Sequence, residues 1–226
     1  MQTAPSSVIE QAPEILVALN DRLAARHTAL LIIDMQKDFC LPGYGAQRAG
    51  RDIGAAQAAI PAIATMLAAA RKSGVRVAHV GFSTLSGHRS DSGPWLAQRR
   101  RSTFSADDLC ITGSEGADFV DELAPAPGEW VVPKHRYSAF SGTDLDMLLR
   151  SRGIRTIIVT GVSTNACVES TLRAGFELDY YICVPPDCVG SWDRALHDAT
   201  LANVNHRFGV TVPSADIQAI WEKTTP

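Results

Sequence analysis

The sequence predicts a three-layer α/β/α domain built on a doubly wound, mostly parallel, six-stranded sheet. Three observations carry this expectation. Apolar runs such as TALLIID (28–34) and IRTIIVTGV (154–162) are continuous rather than alternating, which suits strands buried on both faces. These runs alternate with segments of helical spacing, several of which stop at a glycine. No repeat or low-complexity linker divides the 226 residues, so a single domain over 1–226 is expected, with 1–27 as an N-terminal helical extension.

In chain order, PEILVALNDRLAARH reads as the N-terminal helix and TALLIID as the first strand. The Ala-rich stretch 52–74 shows helical spacing and ends at Gly74. VRVAHVGF is the second strand. A long middle, 83–128, is rich in Gly, Ser, Pro and Arg, with one short helix expected near Ala117–Leu123. EWVVPK is the third strand, and TDLDMLLRSRG a helix stopped by Gly153. IRTIIVTGV is the fourth strand, and NACVESTLRAG a helix with Gly175 as its stop. LDYYICVP makes the fifth strand, SWDRALHDATLANVNHRFG a helix, VTV a short last strand and SADIQAIW a terminal helix.

Composition excludes several classes. Hydrophobic residues make up 46% of the chain, enough for a sizeable core. The formal net charge is −3 and the one basic run, QRRR at 98–101, is short, so no nucleic-acid partner is expected. No apolar stretch approaches the ~20 residues of a membrane helix, and no membrane association is expected. The opening MQTAPSSVIEQ lacks a basic and then apolar leader pattern, and five cysteines without framework spacing fit reduced thiols; the expected compartment is the cytoplasm.

In open parallel α/β sheets, sites lie beyond the carboxyl ends of the strands. Asp34 ends the first strand, Lys134 the third, and Cys167 follows the fourth. Each has an ordinary reading alone: a turn former, an exposed lysine, and a small packing residue. Together on one rim they compose a reactive site. A thiol opening a helix meets unpaired N–H groups and a positive dipole end, which lower a thiol pKa and hold an oxyanion. A neighbouring carboxylate removes the thiol proton and returns it to a leaving nitrogen. A nearby ammonium keeps the carboxylate ionised.

The segments LLIIDMQKDFC, VVPKHRYSAFSGTDLDMLLRSRGI and IIVTGVSTNACVESTLRAGF together resemble the isochorismatase-like cysteine hydrolases, over about Thr28–Cys188. The resemblance implies a catalytic set of Asp34, Lys134 and Cys167. It also implies a non-proline cis peptide at Val162–Ser163 and an oxyanion site formed by the N–H groups of Ala166 and Cys167. Within the family, VDELAPAPGEWVVPKHRYSAF and the segment from Leu149 to Tyr181 look most like ureidoacrylate amidohydrolases, while GHRSD (87–91) is similar to biuret-type ureido hydrolases. HVGFSTLSGHRS departs from the ureidoacrylate pattern. The Asp-x-His metal pattern of the nicotinamidase branch does not occur, so neither a catalytic metal nor another cofactor is expected.

The resemblance therefore implies hydrolysis of a C–N bond in a small ureido, carbamoyl or carboxamide substrate through a covalent acyl-enzyme, in a homodimer or homotetramer. The alternatives are vinyl-ether hydrolysis, which does not need the cysteine, and a non-enzymatic redox-sensing thiol. Phe39, Tyr137, Phe140, His88 and Arg89 are the candidate substrate contacts, with Arg101 a further cation of the middle region. Trp95 is a candidate lid or interface aromatic, and the N-terminal helix a candidate interface element.

Overall fold

A computed structural model of the chain describes residues 13–101 and 107–224. Its elements in order are β1 (Thr28–Ile33), α1 (Gly54–Lys72), β2 (Arg76–Phe82), α2 (Gly93–Arg99), β3 (Trp130–Lys134) and α3 (Leu145–Arg150). There follow β4 (Thr156–Val162), α4 (Glu169–Glu177), β5 (Tyr181–Val184), β6 (Val189–Gly190), α5 (Arg194–Asn203), β7 (Gly209–Thr211) and α6 (Ser214–Thr224). The seven strands form one sheet in the order β3-β2-β1-β4-β5-β7, with β6 paired to β4, and every named pairing is parallel.

The central strands are buried along their whole length, as their continuous apolar runs require. Alternate residues of β1 serve opposite layers. Leu30 and Ile32 pack with Ile63 and Met66 of α1 and Trp221 of α6, while Ala29, Leu31 and Ile33 pack with Leu145 of α3 and Leu172 of α4. That period of two is the pleat expressed in packing. The order reverses beside β1, whose neighbours are β2 and β4, and the ends of β1 and β4 therefore flank the crevice where such sheets bind ligands.

Several expectations need correction. The N-terminal segment is not one helix: 13–18 has no regular structure, Leu19–Arg22 is a single turn and Ala25–His27 a tight 3-10 turn. Residues 1–12 of the expected extension lie outside the described residues. The sheet has seven strands rather than six, because two-residue β6 is too short to show a pattern. The middle region holds α2, which was not expected; Ser92 caps it by accepting the Trp95 N–H and Pro94 occupies its first turn. Near Ala117–Leu123 there are only two 3-10 turns.

Gly74 and Gly153 do follow their helices with φ of +70° and +63°. Gly175 instead lies inside α4. There a side chain would strike Ile157 and Ile182 on the sheet, so the glycine allows close helix-on-sheet contact. The left-handed residue after that helix is Asp179, at φ +68°. No helix among the described residues is long and apolar enough to cross a membrane.

Candidate active site

Asp34, Lys134 and Cys167, separated by 100 and 33 residues in sequence, meet at the carboxyl ends of β1, β3 and β4. Lys134 Nζ donates to Asp34 Oδ2 at 2.7 Å and to the Arg136 carbonyl at 3.2 Å, and lies 3.4 Å from Cys167 Sγ. The ammonium also sits 5.1 Å from the centre of the Phe82 ring. All three residues are buried: Lys134 is 0% exposed, Asp34 1% and Cys167 8%.

Local sequence explains the placement. Asp34 leaves β1 with φ +52°, a left-handed conformation that aspartate tolerates better than most residues. Its N–H still donates to Val80 O at 2.8 Å, so the turn remains tied to β2. Gly161, paired with Ile33, has φ +104°, and a Cβ there would collide with the Ile33 carbonyl; only glycine lets β4 pass so close to the end of β1. Gln36 fixes the other side, exchanging hydrogen bonds with Phe82 N–H and C=O at 2.7 and 2.9 Å. The Val162–Ser163 peptide is cis.

Cys167 occupies a wide π-type turn, Thr164–Val168, that leads into α4. Ser163 O accepts from both Ala166 N–H, at 3.0 Å, and Val168 N–H. The Ala166 N–H, expected to be free for an oxyanion, is therefore already engaged. A second correction concerns the thiol. Burial and then the Asp34 charge push the Cys167 pKa well up, against the opposing pull of Lys134. The turn before α4 does not deliver the lowered pKa expected of a helix-opening cysteine; in the closed, dry site desolvation wins. Burial likewise raises Asp34, with Lys134 as the main opposing charge. Lys134 is raised despite burial, chiefly because the Asp34 charge beside it holds it charged. The resting site thus holds a neutral thiol next to a carboxylate of increased basicity.

Asp34 and Cys167 line a cavity of about 320 Å³, and Lys134 lies behind them. Of the expected substrate contacts, Phe39 and Tyr137 line it, and so does Arg101. The other three lie elsewhere. Phe140 stacks on Tyr180 with ring centres 5.9 Å apart, His88 is an exposed partner of Asp91, and exposed Arg89 bonds back to Ser86. Trp95 is neither at a bare surface nor alone: it packs on Phe82 and Tyr137 and walls the cavity, the lid-side alternative. His79 Nε2 lies 2.9 Å from Glu129 and His135 Nδ1 lies 2.6 Å from the Ser83 carbonyl oxygen.

Sequence reasoning missed Phe82, Arg51, Arg99 and Trp192, which line the same cavity. Arg99 belongs to the QRRR run, whose brevity made it look like solvated surface; its place on α2 buries its side chain to 5% exposure.

A parallel α/β sheet with a buried acid, amine and thiol converging at its carboxyl edge defines a class of three-layer proteins with a potentially nucleophilic rim. Comparisons with known proteins narrow that class. Residues 28–216 match the isochorismatase domain model. Ureidoacrylate amidohydrolase RutB of Azorhizobium caulinodans is 36% identical over 217 residues, covering 90% of this chain and 94% of that protein. An isochorismatase family protein from Desulfovibrio vulgaris superposes with a TM-score of 0.75 at 33% identity, covering 87% of this chain and 99% of the other. A cysteine hydrolase from Pseudomonas syringae pv. phaseolicola gives a TM-score of 0.78 at 25% identity, covering 88% and 94%. The chain belongs to the isochorismatase family.

Proposed function

We propose that this protein is an amidohydrolase of non-peptide C–N bonds that acts on a small ureido, carbamoyl or carboxamide substrate through a Cys167 thiolate. The observation that carries the reading is the Asp34–Lys134–Cys167 contact set, of which Asp34 and Cys167 line a cavity. The RutB relative, named for cleavage of a ureido acid, supports the C–N class.

Asp34, made more basic by burial, takes the Cys167 proton as the sulfur approaches the substrate carbonyl. The thiol is neutral at rest, so proton loss and attack are concerted or closely sequential. The new C–S bond places negative charge on the carbonyl oxygen. The Cys167 N–H and the Lys134 ammonium stabilise that charge, and one donor of this kind is worth about 3 kcal/mol. The C–N bond breaks as protonated Asp34 returns its proton to the departing nitrogen. Water, deprotonated by the same carboxylate, attacks the thioester-type intermediate, and the proton passes back to the sulfur. Phe39, Phe82 and Trp95 exclude bulk water, which strengthens each of these interactions.

Ammonia release from a panel of ureido acids, ureas and carboxamides tests the reading. Turnover of at least one member is expected, with Cys167→Ala lowering kcat by ~10³-fold or more. Ammonia release that survives in that variant would mean that Cys167 is not the nucleophile. The absence of any turnover, together with reversible oxidation of Cys167, would favour a redox thiol.

A further inference from the structure

The cavity wall carries more positive charge than its reacting groups use. Arg99 is 7% exposed; its Nη1 lies 3.4 Å from Asp91 Oδ1, while its Nη2 is buried with no hydrogen-bond partner. Trp192 Nε1 on the same wall is also buried and unpartnered. Arg51 lies with its guanidinium 5.1 Å from the centre of the Trp192 ring. No carboxylate among the described residues forms an ion pair with Arg51. Burial pulls its pKa down.

Two acids among the described residues face the cavity, and each already has a partner for one oxygen; the unpartnered Asp34 Oδ1 belongs to the reacting groups. Asp34 is held by Lys134, and Asp193 Oδ1 accepts the Leu196 N–H at the start of α5. Away from the reacting groups, the unfilled valences on this wall are therefore donors on fixed, desolvated groups. Buried donors of this kind are normally paired, and the missing partner is an acceptor with negative charge. A planar carboxylate matches the guanidinium fork.

We propose that Arg99 and Arg51, with the Trp192 indole N–H, form a carboxylate-binding subsite that makes the enzyme selective for ureido acids over neutral ureas and amides. This rests on the reading of the cavity as the amidohydrolase site. Arg99 provides the buried anchor; Arg51, less enclosed, closes over the anion from the Trp192 side. The carboxylate then holds the far end of the substrate while its carbonyl lies at Cys167.

The test separates binding from turnover. A Cys167→Ala protein is titrated calorimetrically with 3-ureidopropionate and with its neutral carboxamide. The acid is expected to bind at least ten-fold more tightly. Added to that background, Arg51→Gln is expected to weaken acid binding ten-fold or more and to leave amide binding within three-fold. Arg99→Lys keeps the buried charge but removes the fork, and is expected to act in the same direction, so a folding failure of a more drastic Arg99 change does not blunt the test. Equal binding of acid and amide, no binding of either, or equal weakening of both by Arg51→Gln would overturn the subsite. If the selective binding holds while the intact Cys167 protein cleaves no ureide, the subsite stands and the amidohydrolase reading fails.

Discussion

Two ionic clusters lie at opposite ends of β3, one buried and one partly exposed, and they are built to opposite specifications. At the carboxyl ends, Lys134 bonds Asp34 while Asp34 Oδ1 stays without a partner. Just before the edge strand β3, Glu129 is nearly saturated: Arg71 donates twice at 2.8 and 2.9 Å, Ala126 N–H donates at 2.8 Å and His79 Nε2 lies 2.9 Å away. Burial would raise the Glu129 pKa, but Arg71, the Ala126 N–H and His79 outweigh it and draw it down to about 2. At Asp34 the balance falls the other way and burial wins. The completed cluster stabilises the fold around β2 and β3. The incomplete one leaves a buried carboxylate oxygen unpartnered, at some expense in stability, as the proposed role of Asp34 as a base requires.

That contrast predicts a clean division of effects. The largest concerns the reactive pair. Replacing both charges together, Asp34→Asn with Lys134→Met, is expected to lower kcat/KM by ~10⁴-fold or more, since residues acting as a unit fail together. Urea unfolding should show the double variant no less stable than the parent, because an uncharged pair of similar volume avoids the desolvation of two buried ions. A large stability loss would mean that this pair, like the Glu129 cluster, is chiefly structural.

Glu129→Gln should do the reverse. It removes the charge that Arg71 and His79 share, and is expected to destabilise the chain by about 1–3 kcal/mol. Turnover of the folded protein should stay within a few-fold of the parent, since Glu129 does not line the cavity. A selective collapse of kcat with stability intact would tie this cluster to the site.

The same physics decided what could be read from the sequence. β1 and β4 were legible because strands buried on both faces need unbroken apolar runs, and Asp34, Lys134 and Cys167 because each ends or follows such a run. Phe39 and Tyr137 lie close to those residues in sequence and came with them. Arg51, Arg99 and Trp192 sit in or beside irregular connections, and tertiary packing alone brings them to the cavity. No periodicity marks such positions. A short arginine run with a nearby tryptophan was the available signal, and burial, which gives it meaning, is not written in spacing. Gly175 misled for a related reason: a glycine that permits contact and a glycine that ends a helix look alike until the sheet beside it is known.

The smallest effect is a displacement along the pH axis, and it separates the two clusters in one experiment. The Glu129 pKa is depressed in the folded chain relative to an unfolded glutamate near ~4.3. Its stabilisation is therefore fully present above that value and is lost as pH falls toward about 2, where the folded-state group protonates. The Asp34 pKa is raised, so the folded chain holds that proton more firmly than the unfolded one. Its contribution to stability is present below the unfolded value near ~3.9 and is lost as pH rises through the folded value. In the proposed mechanism, however, activity needs the ionised form. The acid limb of kcat/KM should accordingly lie above ~3.9, at a pH where the Glu129 cluster is still charged and the protein still folded. Glu129→Gln should flatten the decline of stability below ~4.3 and leave the activity limb in place. If the limb moves with Glu129→Gln, acid inactivation reports loss of the fold, and Asp34 is not the base.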